Sequence, residues 1–428
     1  MFRNQIRCQS RPAASRPGRH RGMVAIHMAL CLVPLCGVTA FAIDCGMMME
    51  YRRRVHAATD AAALAAAADL YQNYSRNGGQ DVERTAASSA IASAAANGFS
   101  DNSTLTVNIP PSSGPFAGKV GYAETILVYS LPRGFSSIFG SGSLPIKARS
   151  VARGMWVPFN NGIIVLDPTR SGSLTDNGNG TVTVTGANIV IDSNSASAAK
   201  VIGNGSVTAP EIVITGRPGD VTTGHGKFVG GIDSGANPTV DPLLYLPTPD
   251  PSTLTTARSS KLSLTDASAA ALVPGVYVGG ISLSGDASAT LSPGIYYMKG
   301  GGFSMSGNGT LTGAGVMIYN DSGGGNISIS GNGAITLSPP TSGTYKGITL
   351  FQDRKSTAAV SVTGNGAMNL TGTLYVPHAT LSVTGNGSTN VLGSQYISYD
   401  LTVSGNGSVN VVWTAATTAN TRTIGLVE

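Results

Sequence analysis

Six times in its second half the chain repeats nearly the same line: two apolar residues alternating with Ser or Thr, closed by glycine. Ile281-Ser282-Leu283-Ser284-Gly285 is followed by Phe303-Ser304-Met305-Ser306-Gly307-Asn308-Gly309 and Ile327-Ser328-Ile329-Ser330-Gly331-Asn332-Gly333. Val360-Ser361-Val362-Thr363-Gly364-Asn365-Gly366, Leu381-Ser382-Val383-Thr384-Gly385-Asn386-Gly387 and Leu401-Thr402-Val403-Ser404-Gly405-Asn406-Gly407 complete the series. The first glycines stand at 285, 307, 331, 364, 385 and 405, so the steps are 22, 24, 33, 21 and 20 residues. A unit of that length is too short to hold a core of its own. It must stack on its neighbours, which predicts a solenoid.

The period-two alternation within each copy is that of a strand with one buried face. Gly-Asn-Gly supplies residues that turn sharply at little steric cost. Closed hairpins in a sandwich are the competing arrangement, but they would not place equivalent residues at one-coil spacing. A right-handed parallel β-helix does, with Asn369, Asn390 and Asn410 in one register and asparagine amides bonding from coil to coil. The 33-residue step calls for an extra loop near Ser338-Pro339-Pro340. Weaker copies appear at Val182–Gly186, Val201–Gly205 and Ile212–Gly216, and a Pro-rich excursion at 237–251 should leave the coil as a loop or flap.

Composition separates the two ends. The formal charge is +5, but Arg3, Arg7, Arg11, Arg16, Arg19 and Arg21 supply +6, which leaves −1 for the rest. That balance speaks against a nucleic-acid partner for the large domain. All four cysteines (Cys8, Cys31, Cys36, Cys45) precede residue 46, so the solenoid relies on no disulfide.

Met23 to Ile43 contains no Lys, Arg, Asp or Glu. As a helix these residues span about 30 Å, the thickness of a bilayer core. The arginines before it predict a cytoplasmic amino terminus and export of the remainder. A cleaved signal peptide is the alternative, with Ala40-Phe41-Ala42 as its small-residue site. The alanine-rich run after Tyr51 should continue the helix, and a second helix is expected from Val82 to Asn97.

The apolar span ending Phe41-Ala42-Ile43-Asp44-Cys45-Gly46, with Val55-His56-Ala57-Ala58-Thr59-Asp60-Ala61-Ala62-Ala63-Leu64, resembles the TadG-like amino-terminal module of Flp (Tad) pilus-assembly proteins. Leu105–Ile109, Ile126–Tyr129, Pro132–Gly140 and Ile146–Arg153 resemble its small extracytoplasmic region. The resemblance implies a single-pass bacterial inner-membrane protein with inner-membrane lipid and other Tad/Flp proteins as partners. Pilin-like proteins of that system are processed after a glycine; Gly22 fits, whereas His27 stands where a glutamate is called for.

The expected organisation is mainly β. It comprises a basic tail (1–22), a transmembrane helix (23–43), a helical stem (44–100), a small α+β region (101–158) and the β-helix (159–428). Asp286, Asp321, Asp353-Arg354-Lys355 and Asp400 share no evident coil position; Asp353-Arg354-Lys355 is expected to be a solvated turn, and His225 and His378, each standing alone, loop residues. No catalytic, cofactor or metal residues are therefore assigned. The expectation is a structural or assembly component of a pilus or adhesion system. The alternative is a protein that binds or degrades surface glycans with the solenoid face; of Tyr296, Tyr297, Tyr319, Tyr345, Tyr375, Tyr396 and Tyr399, some are expected to stack in the core and some to serve as sugar platforms.

Overall fold

The computed structural model describes residues 21–135, 137, 140–364, 368–385 and 391–428. The arginine tail before residue 21, Ser136, Ile138, Phe139, Asn365, Gly366, Asn386, Gly387 and Asn390 lie outside these.

Helix α1 runs Arg21–Gln72 without a break at Pro34. Its 52 residues extend about 78 Å at the usual helical rise. The first part is apolar and bare: large side chains from Val24 to Phe41 are exposed by 57% to 72%. This stretch is long and apolar enough to cross a membrane. From Val55 onward the same helix is buried on one side. A short helix α2 (Tyr74–Asn77) and helix α3 (Thr85–Ala96) follow. Strands β1 (Ser103–Asn108), β2 (Tyr122–Pro132) and β3 (Ser143–Pro158) pair antiparallel in sequence order. The last strand of the chain, Asn420–Leu426, leaves the solenoid and completes this sheet beside β3. The head formed by these helices and this sheet is thus closed by residues about 260 to 275 positions beyond their β3 partners.

The remainder is a parallel β-solenoid of about 11 turns. Most turns contribute three short strands, one to each face, while Ser206–Ile214, Thr373–Gly385 and Gln395–Gly405 each run across two faces. The repeat registers directly: Ile281 pairs with Phe303, Ile327 with Val360, Val360 with Leu381 and Leu381 with Leu401. The 33-residue step carries its extra residues between Ile335–Leu337 and Ile348–Gln352. Inward residues such as Ile327, Ile329, Val360 and Val362 are buried, each contributing about 1.5–3 kcal/mol.

In the turn triplets the two glycines have different tasks. Gly307 has φ of 100°, where a side chain would be strained. Gly309 lies against the coil beside it: a Cβ there would fall 1.8 Å from the Ala287 carbonyl oxygen.

Spatial order departs from chain order. The amino-terminal coils do not precede the strong repeats; they stack beyond the last one. Tyr396–Ser398 pair with Ile163–Val165, Leu401–Gly405 with Leu174–Gly178, and Ser408–Val412 with Thr181–Thr185. The chain therefore starts inside the stack, builds to one end at Lys227–Ser234, and restarts at the opposite end at Thr256–Arg258. About 11 turns at about 4.8 Å make roughly 50 Å, which the extended segment 235–255 can bridge at about 3.3 Å per residue. That segment contains the Pro-rich excursion. It leaves the coil as expected, but it lies down as a strap along one face, with Leu243 and Leu246 buried.

The strap and the head divide the solenoid surface. The face made of Val316–Asn320, Ile348–Gln352 and their equivalents is buried inside and out, and both these strands are buried at every residue. Its outer side packs Tyr297, Tyr319, Phe351, Tyr375 and Ile397 under Leu243, Leu246 and Trp156. The other two faces alternate buried and accessible residues, as a sheet wetted on one side does.

Candidate functional site

The residues that carry the membrane-module resemblance are those that join α1 to the head. Asp44 Oδ1 accepts the Phe135 backbone N–H at 3.0 Å, which ties the end of the bare segment to the loop after β2. Val55 and Ala58 enter an aromatic-lined cluster with Phe99, Leu127 and Leu131. Ala62, Ala66 and Leu70 continue the same face at intervals of four and meet Ala86, Ala90 and Ala94 of α3, also four apart. Matching ridges of methyl groups let the two helices approach closely. On the adjoining side Ala63 and Ala67 rest on Ala152 of β3. Gly154 is required there, since a Cβ would lie 1.8 Å from the Ala67 carbonyl oxygen.

Polar bonds fix the register of this seam. Thr125 Oγ1 donates to the Thr59 carbonyl at 3.0 Å, and Ser150 Oγ donates to Asp60. Beneath them Glu124 is fully buried. It accepts from Asn108 Nδ2 and the Ser112 and Ser113 hydroxyls at 2.7 Å, and from Arg149 Nε at 2.6 Å. Burial pushes its carboxyl up, yet the hydrogen bonds from Ser112, Asn108 and Ser113 prevail and hold it well below the usual carboxylate range. Arg149 also reaches the Glu428 side chain at 2.8 Å, which binds that residue into the head.

The charged and aromatic residues of the solenoid have other placements. Arg354 is a clamp for the strap, not part of a solvated turn: its guanidinium donates to the Leu243 and Leu246 carbonyls at 2.5 and 2.9 Å and to Tyr375 Oη at 3.0 Å. Tyr375 donates to Asp241 Oδ2 at 2.6 Å. Burial raises the Asp241 carboxyl. A cleft of about 360 Å³ lies beside this clamp, lined by Tyr71, Trp156, Leu243, Leu246 and Arg422 among others.

The tyrosines do not form an open platform. Tyr297 and Tyr319 lie 4.9 Å apart with their rings tilted by 40°, Tyr319 meets Phe351 edge-on at 5.2 Å, and Phe351 meets Tyr375 at 5.0 Å, all beneath the strap. Tyr296 and Tyr396 are buried in the interior. Tyr345 and Tyr399 are partly accessible.

The carboxylates need one correction. Asp321 and Asp353 follow the paired residues Asn320 and Gln352, so they do share a corner of the solenoid. Asp400 lies at the same corner further along and is ion-paired with Arg170. Asp353 accepts the Tyr319 hydroxyl at 2.6 Å and the Lys355 N–H at 2.8 Å. Asp286 sits elsewhere, under Asn308 at 3.2 Å. His378 is exposed against the Tyr399 ring. Among the described residues no group of three or more His, Cys, Asp or Glu is placed to hold a metal ion.

His225 belongs to the turn ladder. Among the described residues the ladder comprises Asp286–Asn308–Asn332 and Asn406–Asn179–Asn204–His225, with successive side chains 3.0 to 3.3 Å apart. These central residues bond from coil to coil. In the expected Asn369 register, Val391 stands opposite.

One copy escaped the sequence reading. Leu174-Thr175-Asp176-Asn177-Gly178-Asn179-Gly180 is a copy of Leu401–Gly407 with Asp176 in place of Val403 and Asn177 in place of Ser404. The aspartate disguised the repeat. Asp176 is buried, its Oδ2 lacks a partner, and burial pushes its carboxyl up to about 6.

No curated protein and no solved structure gives a match. Residues 22–69 match the family described as putative Flp pilus-assembly TadE/G-like, a segment that coincides with the bare span of α1 and the alanine seam docking it to the head.

Proposed function

We propose that this chain is a membrane-anchored structural or assembly component of a bacterial Flp (Tad) pilus or surface-adhesion apparatus. In this reading residues 24–43 cross the inner membrane once, the arginine tail stays in the cytoplasm, and the head and solenoid are displayed outside it. The observation that carries the reading is the coincidence of the family match, 22–69, with one helix that leaves an exposed apolar segment and docks through alanines. An anchor rigidly continuous with its head transmits position and load, which suits a scaffold.

The solenoid is read as non-catalytic. Its corner carboxylates are engaged by Tyr319, Arg170 and backbone N–H groups, and most of the tyrosines that would bind sugars are covered. These features favour a scaffold over a glycan-active surface. The test is in-frame deletion in the native host, complemented by the full chain or by a version lacking 24–43. Surface pili or adhesion should fall on deletion and return only with the anchored chain. Unchanged pili and adhesion would overturn the reading, and turnover of acidic or neutral polysaccharides by the purified chain would replace it.

A further inference from the structure

Both ends of the solenoid are open. At one end Asp220–Gly224 and Lys227–Ser234 pair only with the coil behind them, and no further strand covers their outer edge among the described residues. Val221, Val229 and Ile232 are 37%, 39% and 44% exposed there. At the other end the edge of Thr256–Arg258, Leu262–Leu264 and Ala269–Leu272 is likewise free. Solenoids ordinarily blunt such ends with a polar cap, because open edges recruit further strands. Here the strap descends on a side face and leaves both ends clear.

A parallel stack is directional, so its two ends carry opposite and complementary edges. Following the observed pairings through the stack, Asp233 stands at the position of Thr256, Asp220 at that of Leu262, and Phe228 at that of Ala270. One more coil in the same register would set Asp233 beside Arg258 of the next copy and Asp220 beside its Lys261. His225 and Lys227 would stand at the positions of its Ala267 and Ala269, just past Asp266, and Phe228 would face the small Ala270. All the charged residues named except Asp220 are exposed. Each acid would thus lie one or two positions from a base of the other copy.

We infer that the solenoid ends are a head-to-tail interface for a second copy of this chain, in which Lys227–Ser234 and Asp220–Gly224 of one copy extend onto the 256–272 coil of the next. Such a heterologous contact does not close on itself and so builds a linear series. The inference does not depend on the pilus reading.

The full chain in detergent micelles, followed by sedimentation velocity over a concentration series, tests it. Dimers, trimers and longer species should appear with rising concentration. Asp220→Lys with Asp233→Arg, or Arg258→Asp with Lys261→Asp, should each weaken association at least about tenfold, through like charges at the contact. One chain carrying all four changes should associate again, which a misfolded variant would not do. A chain that stays monomeric overturns the inference, as does association indifferent to the swaps. Sensitivity to one end alone would mean a two-fold contact and overturn it equally, as would four changes that fail to restore association.

Discussion

Two faces of one solenoid bury apolar surface under different constraints. On the covered face, strands such as Val316–Asn320 meet the interior on one side and the strap or head on the other, and every residue is buried. On the ladder face, Ile327–Gly331 alternates, and its outward serines and threonines bond to their counterparts, as Ser304 does to Ser282 at 3.0 Å. The coil is the same length on both. What lies outside it decides the pattern, so the polar face carries the repeat and the apolar face carries the chain's individual contacts.

Substitutions on the two faces should therefore differ in scale. The largest loss is expected for Tyr375→Ala, which removes a buried ring, its contact with Phe351 and its bonds to Asp241 and Arg354. About 3–5 kcal/mol should disappear in chemical denaturation, with faster proteolysis of the strap. Equal resistance of the strap would break the comparison. Arg354→Met keeps much of the packing but abandons the Leu243 and Leu246 carbonyls. A loss of about 2 kcal/mol is expected, again with strap cleavage as the readout.

Asp176→Val tests the reverse case, a polar group on the wrong side of the ladder face. The carboxyl is raised to about 6 by burial, so the folded state prefers the proton. Stability linked to it is present below the ordinary range near 3.8 and is lost as pH rises through about 6. The valine variant should thus exceed the parent by about 2 kcal/mol at pH 7, and that margin should shrink towards pH 4 in thermal melts. A margin independent of pH would show that Asp176 is not buried as described. The smallest effect belongs to Asn332→Ser on the open ladder, which should remain within about 0.5 kcal/mol by the same melts.

The same contrast explains what could be read from the residues alone. The solenoid was legible because its wetted faces impose alternation and its turns demand glycine, as in Phe303–Gly309. The helix was legible because its span is uniformly apolar and the seam uniformly alanine. The permuted stacking was not, since local patterns at Leu174–Gly178 and Leu401–Gly405 say nothing about which coil follows which. Neither was the clamp: Asp353-Arg354-Lys355 looks like any solvated turn until a strap over 100 residues away in sequence supplies carbonyls to Arg354. The closure of the head by Asn420–Leu426 is likewise a long-range pairing with no local mark. Even so, the alanine spacing in α1 and α3 was visible, and it is the part that defines the candidate site.

The central claim is that the bare segment of α1 crosses a membrane and displays everything beyond it on the far side. Labelling with a membrane-impermeant maleimide in intact spheroplasts tests this directly. One variant keeps Cys8 as its only cysteine; another carries Asn332→Cys with all four native cysteines replaced by serine. The account predicts labelling at position 332 before lysis and at Cys8 only after it. Labelling of both before lysis, of Cys8 alone, or of neither would contradict it.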